Sequence, residues 1–269
     1  MFQLGAIGTG KMGGALLNGV LSAKLLKPGA ITAYDTDSET LKRCHKKFAI
    51  RTSKNLESLL NQSERILLAV KPQDLEPVLA LAKRLPHKPK TVISICAGVP
   101  MAKLRAAFGP KTQICRAMPN TPAVLLSAAT AITCSSNMKP AEKKWLLNFF
   151  SSVGYVCEVK EPLLNAITGL SGSGPAYSYY IMEALAQAGA AQGLPYADAL
   201  GLAAKTMEGA AKMILMGEKP VTQLIADVTS KGGTTFAGMQ VLTSSQISKI
   251  LKHTVAAATQ RAGELAALS

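Results

Sequence analysis

The sequence predicts an α/β protein: a doubly wound parallel sheet over residues 1–160, followed by an all-helical region over residues 161–269. Three observations predict it. Short apolar runs alternate with helix-length segments through the first part. A glycine-rich turn stands between the first strand-like run and the first helix. From Glu161-Pro162 onward the texture changes to Ala, Leu and Met at helical spacing. At 269 residues the chain is long enough for two modest domains with their own cores.

Residues 3–7 read as the first strand and residues 14–25 as the first helix, with Gly8-Thr9-Gly10-Lys11-Met12-Gly13 between them. This is G-x-G-x-x-G in the strand–turn–helix context that dinucleotide binding requires. Gly8 allows the tight turn, Gly10 the close approach of a pyrophosphate, and Gly13 close helix–strand packing. The first part is therefore expected to be a Rossmann-type domain. Residues 31–34 form the second strand, ending at Asp35, 22 positions after Gly13. An acid there accepts hydrogen bonds from the adenosine ribose, and its charge opposes a 2′-phosphate.

RILLAV at residues 65–70 and TVISI at residues 91–95 are runs suited to strands buried on both faces. Lys71-Pro72 follows the first and Ala97-Gly98 the second. Ligands of such sheets lie beyond the carboxyl ends of the strands, so both loops are expected to flank the cofactor. Residues 113–118 form another strand, leading into Pro119-Asn120-Thr121-Pro122. Residues 128–133 and 155–159 close the sheet around a helix at 141–151. Residues 163–192 read as one long helix interrupted near Pro175, since proline removes a donor and crowds the preceding turn. Further helices are expected at 196–216, 221–228, 235–242 and 246–268, with the domain boundary near 159–163.

Charge divides with the predicted domains. Residues 1–160 carry 23 Lys+Arg against 9 Asp+Glu, and residues 161–269 carry 7 against 7. The lysines are dispersed and aromatics few, so no nucleic-acid stacking platform is formed; attraction of a phosphate-bearing cofactor is the reading preferred. The neutral half suits packing against another copy of itself. No run of about 18 apolar residues suggests a membrane span, and no cleaved signal is recognisable. Five scattered cysteines without metal-ligand spacing fit reduced thiols in the cytoplasm. Cys96 and Cys115 lie at or near strand ends and read as structural, since nothing basic is placed to ionise them. His45, His87 and His253 are given no catalytic role, and no metal is expected.

Residues 228–239, VTSKGGTTFAGM, interrupt the helical texture with four hydroxyls, a lysine and paired glycines. Gly232 and Gly233 permit backbone angles that side chains forbid, so successive N–H groups can face one concavity. A helix starting near Thr235 would add unpaired amides and a positive dipole end, a setting for an anion. The plainer alternative is a hydroxyl-rich helix cap.

With both ends in view the chain resembles the pyrroline-5-carboxylate reductase family almost from end to end. The resemblance rests on GTGKMG at residues 8–13, AVKPQ at 69–73, RAMPNTPA at 116–123, GLSGSGPAY at 169–177 and VTSKGGTT at 228–235. It implies a Rossmann domain paired with a helical dimerisation domain whose helices interlock between subunits, and an active site between the domains. It further implies hydride transfer from NADP or NAD, in reduced form, to the C=N carbon of a cyclic imino acid, giving proline. Ser230, Gly232, Gly233 and Thr234 would hold the substrate carboxylate. Thr235 would reach the ring nitrogen, with Glu218 beside it. Cofactor contacts would come from Gly8, Gly10, Lys11, Met12, Gly13, Asp35, Asn55, Val70, Lys71, Pro72, Ala97 and Gly98. Lys11 stands where many members have Asn, Lys231 where Pro is frequent, and Ala226-Asp227 where Asp-Asn is frequent.

Two rival readings are a hydroxyacid dehydrogenase of similar architecture and a non-catalytic dinucleotide-binding regulator. The first uses an interdomain lysine as proton donor, and no lysine lies between Lys160 and Lys205. The intact VTSKGGTT stretch argues against the second.

Overall fold

β1 (Phe2–Ile7) runs through the interior of an eight-stranded sheet in the computed structural model, which describes residues 1–267. Its Leu4, Ala6 and Ile7 are buried, as expected of a strand covered on both faces. After β1 come α1 (Lys11–Ser22), β2 (Ile31–Tyr34), α2 (Ser38–Phe48), β3 (Arg51–Thr52), α3 (Leu56–Gln62) and β4 (Ser63–Leu68). The chain continues through α4 (Glu76–Arg84), β5 (Thr91–Ser94), α5 (Met101–Phe108), β6 (Gln113–Met118), β7 (Ala128–Cys134), α6 (Pro140–Ser151) and β8 (Gly154–Glu158). The spatial order is β3-β2-β1-β4-β5-β6-β7-β8, so strand order reverses between β1 and β4, where such sheets bind ligands.

Two apolar clusters cover the two faces. One gathers Leu16, Leu17 and Val20 of α1 with Leu146, Phe149 and Phe150 of α6. The other gathers Leu59 of α3, Leu79 of α4 and Leu104 and Phe108 of α5. The doubly wound architecture expected from the alternating pattern is therefore present.

Several local expectations need correction. Helix α1 starts at Lys11 rather than residue 14, because Gly10 takes an extended cap conformation. It ends at Ser22 rather than residue 25, because Lys24 turns left-handed at φ 55°. Strand β4 spans Ser63–Leu68, which releases Val70 into the following loop. The two-residue β3 is exposed and has no apolar signature to announce it. β7 runs antiparallel to β6, and β8 runs parallel to β7. The connection over residues 119–127 is too short for a parallel crossover, which takes a dozen or more residues.

The expected interruption of the long helix is present and falls at Ser173. α7 (Leu164–Ile167) passes into one π-helical turn (Thr168–Gly172), and α8 (Gly174–Ala191) then begins with Pro175 in its first turn. There the missing N–H costs nothing, because first-turn amides have no partner in their own helix. The Ser173 amide donates to Thr168 O at 2.8 Å, the longer reach of a π turn.

By Cα packing the chain forms two compact units: Met1–Ser173 with the stretch from Ala257 onward, and Gly174–Ala256. The second unit contains α8, α9 (Tyr196–Met216), α10 (Val221–Asp227), α11 (Thr234–Ser244) and the first turns of α12 (Ile247–Ala267). The expected last helix ran to Leu268, which lies outside the described residues. Within this unit Ala186 and Ala199 are buried, while Tyr180, Leu202, Leu215, Met216 and Val241 stand exposed. No helix among the described residues is long and apolar enough to cross a membrane.

One polar contact ties β4 to α6. Arg65 donates from Nε to Glu142 Oε1 at 2.6 Å and from Nη2 to Oε2 at 2.8 Å, and its guanidinium lies 4.3 Å from the Trp145 ring centre. Both side chains are largely out of water, 15% and 11% exposed. Replacing Glu142 by Gln removes the bidentate charge partner and leaves the guanidinium only Glu64, 3.8 Å from Nη1, so it should cost about 1.5–3 kcal/mol of stability. Denaturant unfolding of both proteins checks this; an unchanged midpoint would show the pair to be incidental.

Candidate active site

The first unit opens a cleft of ≈ 430 Å³ at the carboxyl ends of β1, β2 and β4, lined by Gly8, Gly10, Tyr34, Asp35, Val70 and Lys71 among others. The three glycines have separable reasons. Gly8 lies at φ +92°, and a Cβ there would sit 2.5 Å from Ala69 O. A Cβ on Gly13 would overlap the Gly8 carbonyl oxygen, so this glycine sets the approach of α1 to the strand. A Cβ on Gly10 would meet nothing within 4 Å, so its need is not internal. Such open space at an uncapped helix start is what an approaching pyrophosphate uses. Lys11 is exposed at the first position of α1, and Met12 follows it half-buried.

Asp35, at the end of β2, is engaged within the chain itself. Its Oδ2 accepts from the Thr9 amide at 2.6 Å and the Thr9 hydroxyl at 2.9 Å, while Oδ1 accepts from the Asp37 amide at 3.0 Å. The carboxylate thus fastens the end of β2 to the glycine loop. The two nearby cations on α2 have partners there: Lys42 pairs with Glu39, and Arg43 donates to Thr40 Oγ1. Asn55 caps α3, its Oδ1 accepting from the Ser58 amide at 2.8 Å; its neighbour Leu56, not Asn55, lines the cleft.

A second cleft of ≈ 570 Å³ brings Pro72, Gln73, Ala97 and Gly98 together with Asn165 and Thr168 from the helical stretch after β8. Gln73 lines both clefts. Beneath them Cys96 is buried, its thiol donating to Val70 O at 3.3 Å, and burial pushes that thiol up to about 11. It is a structural thiol, as its sequence context suggested.

Two residues of RAMPNTPA, Asn120 and Arg116, tie distant segments together without any local sign of it. Asn120 is buried and donates from Nδ2 to Ser171 O at 3.0 Å, while its Oδ1 accepts from the Ala129 amide at 2.9 Å. One amide thus joins the loop after β6, the start of β7 and the π turn. Arg116 donates to Glu161 Oε1 at 2.6 Å, and the same oxygen accepts from the Met101 amide at 2.7 Å. A pairing signal for these residues would have required knowing the fold.

The glycine–hydroxyl loop lies in the second unit. Gly232 takes φ +74°, as a paired-glycine turn predicts. Gly233 does not: it caps α11 at φ −81° and ψ 176°, angles open to any residue. Its amide is committed to Ser230 O at 3.0 Å, and a Cβ there would sit 2.5 Å from Ser230 Oγ. Gly233 therefore serves tight closure of the turn. No side chain caps α11, so the amides of Thr234 and Thr235 sit in its open first turn, and Ser230, Thr234 and Thr235 are exposed. Glu218 stands in the turn between α9 and α10, beside Lys219, which pairs with Asp227 at 2.6 Å and holds that carboxyl below its ordinary value. Among the described residues no hydrogen bond joins Glu218 to Thr235.

Residues 161–265 match the family model for pyrroline-5-carboxylate reductase dimerisation, and residues 3–98 match that for coenzyme F420-dependent NADP oxidoreductases. A pyrroline-5-carboxylate reductase of Methanosarcina acetivorans is 39% identical, over 98% of this chain and 97% of its own. One from a Synechocystis species is 40% identical over 98% of each. Among solved structures, a pyrroline-5-carboxylate reductase of Coxiella burnetii superposes with a TM-score of 0.92 at 32% identity, covering 98% of both chains. A Plasmodium falciparum pyrroline carboxylate reductase with NADP bound gives 0.84 at 30% identity, again over 98% of both.

The place of Asp35 makes a prediction about cofactor choice. Asp35→Ser removes the charge that opposes a 2′-phosphate and also the acceptor for Thr9. The ratio of catalytic efficiencies should move toward NADPH, and stability should fall by about 1–3 kcal/mol because the Thr9 donors lose their acceptor. Paired kinetics with the two reduced cofactors and a thermal melt check both arms. A wild type that strongly prefers NADPH, with a ratio that Asp35→Ser leaves unchanged, would remove Asp35 from cofactor selection.

Proposed function

The chain belongs to the pyrroline-5-carboxylate reductase family, and from that premise we propose how its residues divide the reduction of 1-pyrroline-5-carboxylate to L-proline. The protein is an NAD(P)H-dependent oxidoreductase and self-associates through its helical part. The observation that carries the residue assignment is the combination of an open glycine turn at the start of α1 and a second uncapped helix start at α11.

The bound cofactor supplies a hydride from carbon 4 of its nicotinamide. Everything else falls to the chain. Gly8, Gly10, Lys11, Met12 and Gly13 receive the pyrophosphate on the amides of α1. Asp35 faces the adenosine end, and Asn55 acts beside it by capping α3 and so holding Leu56 at the cleft. Val70, Lys71 and Pro72 on one side and Ala97 and Gly98 on the other bound the cleft toward the nicotinamide. The basic charge of residues 1–160 serves cofactor attraction rather than nucleic acid.

For the substrate, the turn made by Ser230, Gly232 and Gly233 and the first amides of α11 at Thr234 and Thr235 offer partial positive charge to the carboxylate. Thr235 places a hydroxyl by the ring nitrogen, and Glu218 supports it. A protonated ring nitrogen makes the C=N carbon electrophilic, so the site needs orientation and one hydrogen-bond partner more than a nucleophile. Functionally we divide the chain into residues 1–160 for the cofactor and residues 161–269 for dimerisation and substrate. The family match over residues 161–265 supports that division. We place the enzyme in the cytoplasm, where five unpaired thiols are at home.

Three measurements test this reading. Absorbance of the reduced nicotinamide should fall only when pyrroline-5-carboxylate is present, and no decay with either cofactor from folded protein would overturn it. Thr235→Ala removes a hydrogen bond to a group that carries charge, worth roughly 1.5–3 kcal/mol, or about 10- to 150-fold in kcat/KM. Thr235→Ser should recover most of it. Since Gly233 occupies the cap position of α11, Thr235→Ala should leave the melting temperature nearly unchanged; a destabilised but fully active variant would take Thr235 off the catalytic list. Finally, the exposed apolar residues of the second unit call for an obligate homodimer. Sedimentation at micromolar concentration should show no stable monomer, while residues 1–160 alone should be monomeric and inactive.

A further inference from the structure

Read alone, Cys115 is a structural thiol, fully buried in β6. The sheet gives it a partner. In the antiparallel pairing of β6 with β7, Cys115 stands directly opposite Cys134. The next pair along, Ile114 and Ser135, carries the ladder bond, Ser135 N–H donating to Ile114 O at 2.8 Å. Hydrogen-bonded and non-hydrogen-bonded pairs alternate along such a ladder, so Cys115 and Cys134 form a non-hydrogen-bonded pair. Cα atoms in these pairs approach to about 4.5 Å and the side chains share one face. That separation lies within the range a disulfide spans.

The two thiols also differ in the way a stepwise exchange requires. Cys134 is half-buried, whereas Cys115 is inaccessible. The neighbouring Cys115 thiol holds Cys134 below its ordinary value, with Lys143 adding to the effect, while Cys134 and burial push Cys115 well up. Cys44 and Cys96, by contrast, are pushed up to about 11 by burial. Cys157 lies opposite Ala131.

We propose that Cys115 and Cys134 are a reversible dithiol site, converted to an intramolecular disulfide by low-molecular-weight disulfides. The Cys134 thiolate attacks one sulfur of the small disulfide, forming a mixed disulfide and expelling one thiolate, which takes up a proton. Cys115 then gives up its proton and attacks Cys134 Sγ, forming the Cys115–Cys134 bond and expelling the second small thiolate. Two protein thiols are oxidised and one small disulfide is reduced to two thiols. The new bond closes a ring around the whole connection from β6 to β7, the segment that carries Asn120. Oxidation state would thus set how freely that connection, tied to the π turn through Asn120, moves.

The test uses the full-length protein and oxidised glutathione, read by intact mass and a non-reduced peptide map. The wild type is expected to lose the mass of two hydrogens, show a crosslink between the Cys115 and Cys134 peptides, and return to its starting mass with dithiothreitol. Cys115→Ser should instead retain glutathione on Cys134. Because Cys115 is a core residue, Cys134→Ser provides the independent arm: the crosslink should vanish with the fold intact by circular dichroism. Glutathione adducts without the crosslink, or no reaction in the folded wild type, would overturn the proposal. None of these readouts involves reductase activity, so they stand apart from the assignment of the reaction.

Discussion

Helix α1 can begin where it does only because Gly13 has no side chain. A Cβ there would overlap the Gly8 carbonyl oxygen, and a Cβ on Gly8 would press on the backbone of Ala69 in the neighbouring loop. Three backbone segments, from β1, α1 and the exit of β4, therefore meet without side chains between them. Asp35 adds the fourth, drawing the end of β2 onto Thr9. The shape of the cleft at the carboxyl ends of β1, β2 and β4 follows from these approaches, which set where the residues that line it stand. Close packing of this kind tolerates little volume change, since interiors are filled to crystal-like density.

Much of this was legible from residue order. Residues 31–34 and 113–118 appear as strands with those bounds, and residues 196–216 as a helix, because each is a single apolar or amphipathic run between clear breakers. The glycine turn was legible because its spacing encodes backbone geometry directly. What escaped depends on partners distant in sequence. The two exposed residues of β3 are strand only because β2 is beside them. The antiparallel sense of β7 follows from a short connection, which the apolar pattern of residues 128–133 does not record. At the site, the glycines of the 8–13 turn kept their expected places, but Gly233 turned out to close a turn against Ser230 rather than to relax φ. The two hydrogen bonds of Asn120, one donated to Ser171 O and one accepted from the Ala129 amide, had no local signal at all, since both partners are main-chain groups.

The helical unit follows a different logic from the sheet. The sheet hides its apolar residues within one copy, and its two faces hold large clusters of buried side chains. The helices of the second unit bury two alanines and leave Leu202, Leu215, Met216 and Val241 outside. Helices that are apolar on several faces are stable when something covers those faces. The balanced charge of residues 161–269 removes the repulsion that would oppose a second copy there. The unit's own hydrogen bonds are correspondingly local, such as Thr229 Oγ1 to Ile225 O and Thr243 Oγ1 to Met239 O.

The stretch from Ala257 onward belongs with the first unit, and Ala262 and Leu265 line the cleft beside Ala97 and Gly98. On the ribosome these residues are made after every strand of the sheet. A nascent chain therefore carries its nucleotide-binding half with one wall of that cleft still missing until α12 has been translated. A message cut short anywhere before α12 yields a product that lacks the wall, however well its sheet has folded.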